Sequence, residues 1–476
     1  MKIYDYFLNS LKKNPNKIFI KTNKIFYTYQ DIKKLIIRLE NMKISGRYIA
    51  IISENSVYYF VLYLISSKYN KTFVPLDHHL GTNLLHDQIK KFKLNNIFCS
   101  TKISTQLKNK NKNINFNQFE KFTRIKNKKL KIIKEKNNNI FLLTFSSGST
   151  SFPKPIAITE KVKIDRAKSN IKIFSVTKKD NIIISTPLHH TLAIRLMTIG
   201  IVLGSEISFL DNYKLSKFLS MIKKNKSRFT FFVSNQLEEI SKNNKNIKYI
   251  KNLKCLVSSS SRLPTKTKKK LLKSFPKNIY EIYGLSEAAV VSNLDLKKDK
   301  RYLDSVGTPI PGVKVKIKKN IKEKIGEILI KSKFMCSGYL SGKKIIIINN
   351  KNYFRTGDLG YFKKNFLYFF GRKKNMIKIN GVSIYLEDIE NTLKNSKIIK
   401  DCVAKPLINK DNINPRICLI FSGKKSILQI KTFCFKNLPL LQIPTYFIKT
   451  SVIPRNKMGK LNMKLIDKLI ETKINY

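Results

Sequence analysis

Thr144-Phe145-Ser146-Ser147-Gly148-Ser149-Thr150-Ser151-Phe152-Pro153-Lys154 follows directly on the apolar run Ile140-Phe141-Leu142-Leu143. The run reads as a buried strand. Small hydroxyl residues around a glycine then let backbone N–H and side-chain O–H groups converge on phosphate oxygens, and the lysine adds a point charge. The loop is not a Walker P-loop, because GxxxxGK[ST] is absent. A Ser/Thr-rich loop alone is also an ordinary turn, and the order of these residues carries more than their type.

Outward from this loop, β-branched runs alternate with lysine-faced helical segments. Residues 47–52, 73–76, 181–185, 206–210, 229–233 and 255–258 read as strands, and 57–68 as a largely buried helix. Such alternation implies an α/β domain of parallel sheets covered by helices. From 305 to 330, Gly/Pro turns between alternating strands indicate a smaller antiparallel β region. Residues 101–139 are rich in Lys and Asn and read as a solvated excursion with a helix or two. No internal repeat is present. Beyond Gly371-Arg372 the chain becomes a compact α+β unit of about one hundred residues, a normal size for a small domain. Two domains are therefore expected, 1–372 and 373–476.

The composition agrees. With 476 residues, of which 42% are hydrophobic, the chain is too long for one ordinary domain and too apolar to be disordered. Its formal charge of +64 would suit a nucleic acid or an anionic membrane. The basic residues, however, comprise 12 arginines and 82 lysines, and Asn, Ile, Phe and Tyr run high with them. These types share A/T-rich codons, so mutational bias accounts for the excess and no nucleic-acid partner is expected. The positive surface would still draw in anionic small molecules at low salt. The six cysteines form no CxxC pair, and the histidines (78, 79, 86, 189 and 190) make no zinc-ligand pattern with them. The N-terminal segment has no continuous apolar h-region. The longest aromatic-aliphatic run, 57–65, falls far short of the ~20 residues of a membrane span. A reducing, cytoplasmic setting is expected.

Four further motifs follow the first loop in order. Tyr280-Glu281-Ile282-Tyr283-Gly284-Leu285-Ser286-Glu287 offers an aromatic for a base, a hydroxyl for a phosphate and a carboxylate for Mg²⁺. Tyr353-Phe354-Arg355-Thr356-Gly357-Asp358-Leu359-Gly360 puts an aspartate on a tight turn, suited to paired ribose hydroxyls, although Asp is common in turns. Gly371 to Gly381 (GRKKNMIKING) is the next, and Pro454-Arg455-Asn456-Lys457-Met458-Gly459-Lys460 the last. Each is weak alone. In this order and spacing they resemble the adenylate-forming superfamily of acyl- and aryl-CoA synthetases, nonribosomal adenylation domains and beetle luciferases. The likeness spans nearly the whole chain. It includes Tyr27-Thr28-Tyr29-Gln30-Asp31, Val74-Pro75-Leu76, Val306 to Gly312 (VGTPIPG), Gly326-Glu327-Ile328 and Gly338-Tyr339.

The resemblance implies a two-step ligase. A carboxylic acid and MgATP give an acyl-adenylate and pyrophosphate, and the acyl group then passes to the thiol of coenzyme A or to the phosphopantetheine of an acyl carrier protein. On that model Ser146, Ser147, Gly148, Ser149, Thr150 and Lys154 handle the β- and γ-phosphates. Tyr283 flanks adenine, Ser286 meets the α-phosphate and Glu287 binds Mg²⁺. Asp358 holds the ribose hydroxyls and Arg372 supports the same nucleotide. Lys460 bridges carboxylate and α-phosphate in the first half-reaction. Lys374 matches the hinge about which the C-terminal domain turns, and Gly381 the wall of the thiol channel. Arg355, Arg372 and Arg455 sit within motifs, as sites needing a planar donor would require. The sequence departs from the family at Ser151 and Pro155 (usually Gly), Leu386 (Pro), Asn375 (an acid) and Met463 (Arg).

Pro187-Leu188-His189-His190 matches the family's Pro-x-x-His, whose last residue, His190, lies beside the acyl site in CoA ligases; the alternative is a pair of loop histidines. Thr191-Leu192-Ala193-Ile194 follows, with no carboxylate to pair a substrate ammonium. A fatty or aryl acid is therefore expected rather than an amino acid. A basic binding protein with a degenerate site is the remaining reading, against which the presence of both Glu287 and Lys460 counts.

Overall fold

The computed structural model describes the chain apart from residues 42–43, 45, 81, 109–114, 120–138, 146–153, 212, 276, 320–323, 342–343, 348–351, 374–375, 380–381, 408–415, 457–458 and 475–476. It divides into two compact units. The first comprises 1–303, 310–313 and 332–352, and the second 304–309, 314–331 and 353–476. The antiparallel region thus groups with the C-terminal segment, and the 372/373 position lies inside the second unit.

The first unit is the α/β part. Strands Thr72–Leu76, Tyr48–Ile52, Asn96–Cys99 and Asn115–Gln118 lie parallel in the centre and along one side of an eight-stranded sheet. Leu142–Phe145 joins this block in parallel, and the antiparallel strands Pro155–Ile158, Gly338–Ser341 and Lys344–Ile347 complete the other side. The apolar run before the Ser/Thr loop is therefore a buried interior strand, and the loop departs from its C-terminal end. Two other sheets continue the parallel theme: Ile18–Lys21 beside Ile207–Phe209 and Ile182–Ile184, and Phe232–Val233 beside Cys255–Ser259 and Asn278–Leu285. Helix Tyr58–Lys68 is buried from Tyr59 to Ser67 and meets the equally buried helix Thr191–Leu203 through a Tyr63–Thr198 hydroxyl pair at 2.8 Å. Uniform burial explains why neither helix shows an amphipathic stripe.

Local chemistry explains several motifs. In Tyr27 to Asp31, Thr28 caps helix Tyr29–Glu40: its hydroxyl accepts from the Asp31 amide, and the Asp31 carboxylate accepts from the Thr28 amide. Pro155 opens its strand, where a missing N–H is tolerated. Leu386 is the first residue of helix Leu386–Asn395, a position that suits the family's usual proline.

The second unit contains a sheet of Val313–Lys318, Gly326–Ser332, Phe354–Lys363 and Phe366–Arg372, then the hairpin Met376–Ile379/Val382–Tyr385 and the three-stranded sheet Asp401–Leu407, Arg416–Ser422, Tyr446–Lys449. Two buried clusters, one around Ile389, Leu419 and Ile430 and one around Ile420, Ile448 and Ile466, draw every member from residue 377 onward. All six cysteines are buried and none is in a disulfide, and burial pushes the Cys255, Cys336, Cys402, Cys418 and Cys434 thiols up. Among the described residues no helix is long and apolar enough to cross a membrane.

A deeply buried ion pair lies in the first unit. Lys268, on helix Thr265–Ser274, pairs with Glu281 on strand Asn278–Leu285, and Glu281 also accepts from the Leu263 amide at 2.6 Å. Both side chains are almost wholly buried. Lys268→Met should cost about 3–5 kcal/mol, because it leaves a buried carboxylate without its cation. Urea unfolding would read this directly, and a loss of only ~1 kcal/mol, as for a surface pair, would refute it.

Candidate active site

Strands Asn278–Leu285 and Ala289–Asp295 form an antiparallel hairpin whose turn is Ser286-Glu287-Ala288. The register shifts between Tyr283 and Gly284, a bulge that re-aims the residues entering the turn. Gly284 is obligatory here: a Cβ would lie 1.9 Å from the Ala289 carbonyl oxygen. Tyr283, Ser286 and Glu287 are therefore brought to one hairpin end.

Around this turn runs a connected set of side chains. The Tyr339 hydroxyl donates to Glu287 Oε1 at 2.8 Å. The Lys154 ammonium lies 5.6 Å from the centre of the Tyr339 ring, a cation–π distance. The fully buried Arg166 donates to three carbonyls: Nε to Phe334 at 2.9 Å, Nη1 to Ser286 at 3.2 Å and Nη2 to Glu287 at 2.6 Å. The Cys336 amide donates to the same Glu287 carbonyl at 2.6 Å. Burial lowers the Arg166 guanidinium to about 10, so it stays cationic at neutral pH. Burial and the Glu287 charge keep the Tyr339 hydroxyl protonated, as a donor must be. A half-buried carboxylate fixed through one oxygen by a phenol, with a lysine over that phenol's ring, is a donor set that fits a hard divalent cation carrying phosphate. Tyr339 has a role that composition gave no means of assigning. Arg166 is one of only 12 arginines in a lysine-rich chain, and that scarcity was a usable signal.

His190 caps the buried helix Thr191–Leu203, its amide bonded to the Pro187 carbonyl at 3.0 Å. His189 is buried, with Nε2 3.3 Å from Asp77 Oδ1. One turn into the helix, Arg195 lies 5.8 Å from the Phe231 ring and is lowered to about 9 by burial and by Arg166. Lys163 lies in the same basic group and is held well below the usual lysine range by burial, Arg166 and Arg195.

The second unit carries the other named residues. Asp358 and Arg372 face each other across an antiparallel pair, with Nε to Oδ1 at 2.7 Å. Asp358 is buried, and it lies not on the expected tight turn but inside strand Phe354–Lys363, where Gly357 before it adopts φ 71° at a shift in the pairing register, a conformation that favours glycine. Arg355 and Lys373 converge on Glu327, whose carboxyl they hold below the usual range. Lys460 ends a tight loop: its amide donates to Asn456 Oδ1 at 3.0 Å, and its carbonyl accepts from the Asn456 amide at 2.7 Å. Arg455 secures the loop by donating to the Gly459 carbonyl at 2.9 Å and to Asp401 Oδ2 through Nη2 at 2.7 Å. The motif arginines thus hold the chain's own carboxylates. Ser146, Ser147, Gly148, Ser149, Thr150, Ser151, Lys374, Asn375 and Gly381 lie outside the described residues.

Residues 7–340 match the family model for AMP-binding enzymes. The chain therefore belongs to this family, the adenylate-forming enzymes, and is an AMP-forming ligase of the acyl-CoA synthetase type with a large α/β N-terminal part and a smaller C-terminal one. Among curated proteins it is similar to the 2-succinylbenzoate–CoA ligase of Lactococcus lactis subsp. lactis, with 25% identity covering 94% of this chain and 97% of that protein. Two solved structures share the fold. The o-succinylbenzoate CoA synthetase of Bacillus subtilis with ATP and magnesium aligns at TM-score 0.84 and 17% identity, covering 97% of this chain and 99% of that one. ATP-bound MatB of Rhodopseudomonas palustris also aligns at TM-score 0.84 and 17% identity, covering 100% of both chains.

The Lys163 environment gives a pH test. Its folded value lies well below the ordinary 10.5, so between the two values folding releases a proton, and below the folded value it buries an ammonium. Wild-type stability should rise with pH across that window, because the unfolded chain binds more protons there. Lys163→Met should melt at a higher temperature than wild type at pH 7, with the gap closing as pH approaches 10.5. A gap that stays constant or widens with pH would contradict the depressed lysine.

Proposed function

We propose that the chain activates a fatty or aryl carboxylic acid with MgATP to an acyl-adenylate, releasing pyrophosphate, and then transfers the acyl group to the thiol of coenzyme A. The observation that carries this reading is the linked group Lys154, Tyr339, Glu287 and Arg166 around the 286–288 turn. The chemical problem is the approach of a carboxylate to the α-phosphorus of a polyanion, so positioning and charge neutralisation dominate. Lys154 and the 146–150 loop would take the β- and γ-phosphates, Ser286 the α-phosphate, and Tyr283 the adenine. Glu287, oriented by Tyr339, would hold Mg²⁺, which supplies charge neutralisation when bound. Asp358, with Arg372 beside it, would accept the ribose hydroxyls. Lys460 would offer its ammonium to the acid's carboxylate, from a loop fixed by Arg455 and Asp401.

A fatty or aryl acid is favoured over an amino acid by charge. After Thr191 the helix that follows His190 is apolar up to Arg195. Lys163, Arg166 and Arg195 are buried basic groups near it, a poor setting for another ammonium, although the structure does bring the half-exposed Asp77 carboxylate beside His189. Aryl acids are the first to try, since the full-length curated relative bears the name of one. We place the functional boundary at 372/373, with rotation about Lys374 between the half-reactions; cores drawn only from residue 377 onward support a segment that can turn as a body. Six cysteines without a disulfide fit a reducing, cytoplasmic setting.

The test is pyrophosphate release with MgATP over fatty, aryl and amino acids, with and without coenzyme A. One acid should drive turnover and coenzyme A should raise it; release unresponsive to coenzyme A would move the acceptor to a carrier protein. Lys460→Ala should lower adenylate formation by about 10²-fold or more, while thioester formation from supplied acyl-adenylate stays within a few-fold. Equal loss in both half-reactions would remove Lys460 from its assigned step.

A further inference from the structure

We propose that Asp77, His78 and His189 form a binding site for one borderline divalent transition-metal ion of the zinc class, separate from the Mg²⁺ position at Glu287. The chain has five histidines in 476 residues, and the fold gathers four of them. His78 and His79 follow strand Thr72–Leu76, and His189 and His190 precede helix Thr191–Leu203. The ring centres lie 3.7 Å apart for His78–His79, 5.8 Å for His78–His189 and 4.2 Å for His189–His190. Two segments more than one hundred residues apart in sequence thus deliver their imidazoles to one place.

The donor atoms have the spacing of a coordination shell. One atom each from Asp77, His78 and His189 lie within 4.8 Å of one another. His189 Nε2 is 3.3 Å from Asp77 Oδ1. Ligands at the ~2.0–2.1 Å of a zinc–nitrogen bond are about 3.3–3.4 Å apart in a tetrahedron, so that edge already has the right length. The other two edges are at most 4.8 Å, and the His78 ring that would shorten them is partly exposed. His79 Nδ1, 3.6 Å from the same carboxylate oxygen, is at hand for a fourth position, which water could fill instead.

The surroundings hold these groups in place. The His79 amide donates to Asp77 Oδ1 at 2.9 Å, and the Leu80 amide to the Asp77 carbonyl at 3.2 Å. On the other side the Leu188 amide donates to Asn55 Oδ1 at 2.7 Å. Outer hydrogen bonds of this kind orient ligands and raise metal affinity. Asp77 remains partly exposed, which gives an ion a way in, while His189 is buried. Two imidazoles with one carboxylate suit zinc, nickel or cobalt and not Mg²⁺, which takes oxygen ligands. A bound ion would tie the end of a core strand to the cap of the helix beginning at His190.

The test uses the full chain after removal of metal with a chelator, titrated with Co²⁺ and with Zn²⁺ against a chromophoric competitor. One equivalent should bind, with a Co²⁺ spectrum of nitrogen and oxygen ligation and no thiolate charge-transfer band. Asp77→Ala, His78→Ala and His189→Ala should each weaken binding at least tenfold, and His86→Ala should leave it unchanged. Should a variant fail to fold, wild type still decides: Zn²⁺ should shield His78 and His189, but not His86, from a histidine-modifying reagent mapped by mass spectrometry. Absence of stoichiometric binding, a thiolate band, equal binding by the variants, or no protection of His78 and His189 would overturn the site.

Discussion

The Arg166 guanidinium is fully buried, and it bonds to three main-chain carbonyls rather than to a carboxylate. Those carbonyls belong to Ser286, Glu287 and Phe334, so one side chain on helix Glu160–Ile173 ties together two segments far apart in sequence. The Glu287 charge favours this cation, and its burial is made tolerable by well-placed carbonyl oxygens that meet its donors. The turn bearing Ser286 and Glu287, and the segment leading to Tyr339, are therefore held by the need to keep that charge solvated by protein dipoles. Gly284 sets the same turn from the other side, through a backbone approach that no side chain would permit. The active-site hairpin is thus specified by one residue that must be large and charged and another that must have no side chain.

The same economy of arginine runs through the second unit. Lysine covers the surface of this chain, yet Arg355, Arg372 and Arg455 stand where a carboxylate must be gripped from more than one direction or across a strand pair. Their partners Glu327, Asp358 and Asp401 come from a small acidic set of 30 residues against 94 basic ones. In such a background an acidic residue with a buried carboxylate is seldom incidental.

Much of this was legible in the sequence. The strands at 48–52, 72–76 and 255–259 follow from short β-branched runs, and the α/β class with it. Glu287, Asp358, Arg372 and Lys460 stood in motifs whose order identified the family. Tyr339 stood in the Gly338-Tyr339 likeness and Arg166 among the few arginines, but neither role was legible, because each depends on contacts across long separations: Tyr339 meets Glu287 over 52 residues, and Arg166 meets Phe334 over 168. Nor does local pattern show that Thr28 and Asp31 are a helix cap rather than a ligand site, since both uses need the same oxygens. The expected strand at 229–233 shortens to Phe232–Val233, with Phe229 making a single bridge to Ile182, because that stretch passes from one sheet to the next.

The burial of all six cysteines acquires meaning from the chemistry. An acyl-adenylate is an acylating agent, and its producer is the nearest target. Thiolates are the side chains that would intercept it fastest, and their reactivity follows their ionised fraction. Here five thiols are held protonated by apolar surroundings, some to about 11 and others beyond, and none of the six is exposed. The nucleophile that matters must then arrive with the second substrate. Acylation of the chain's own thiols is disfavoured by where the sulfur atoms lie.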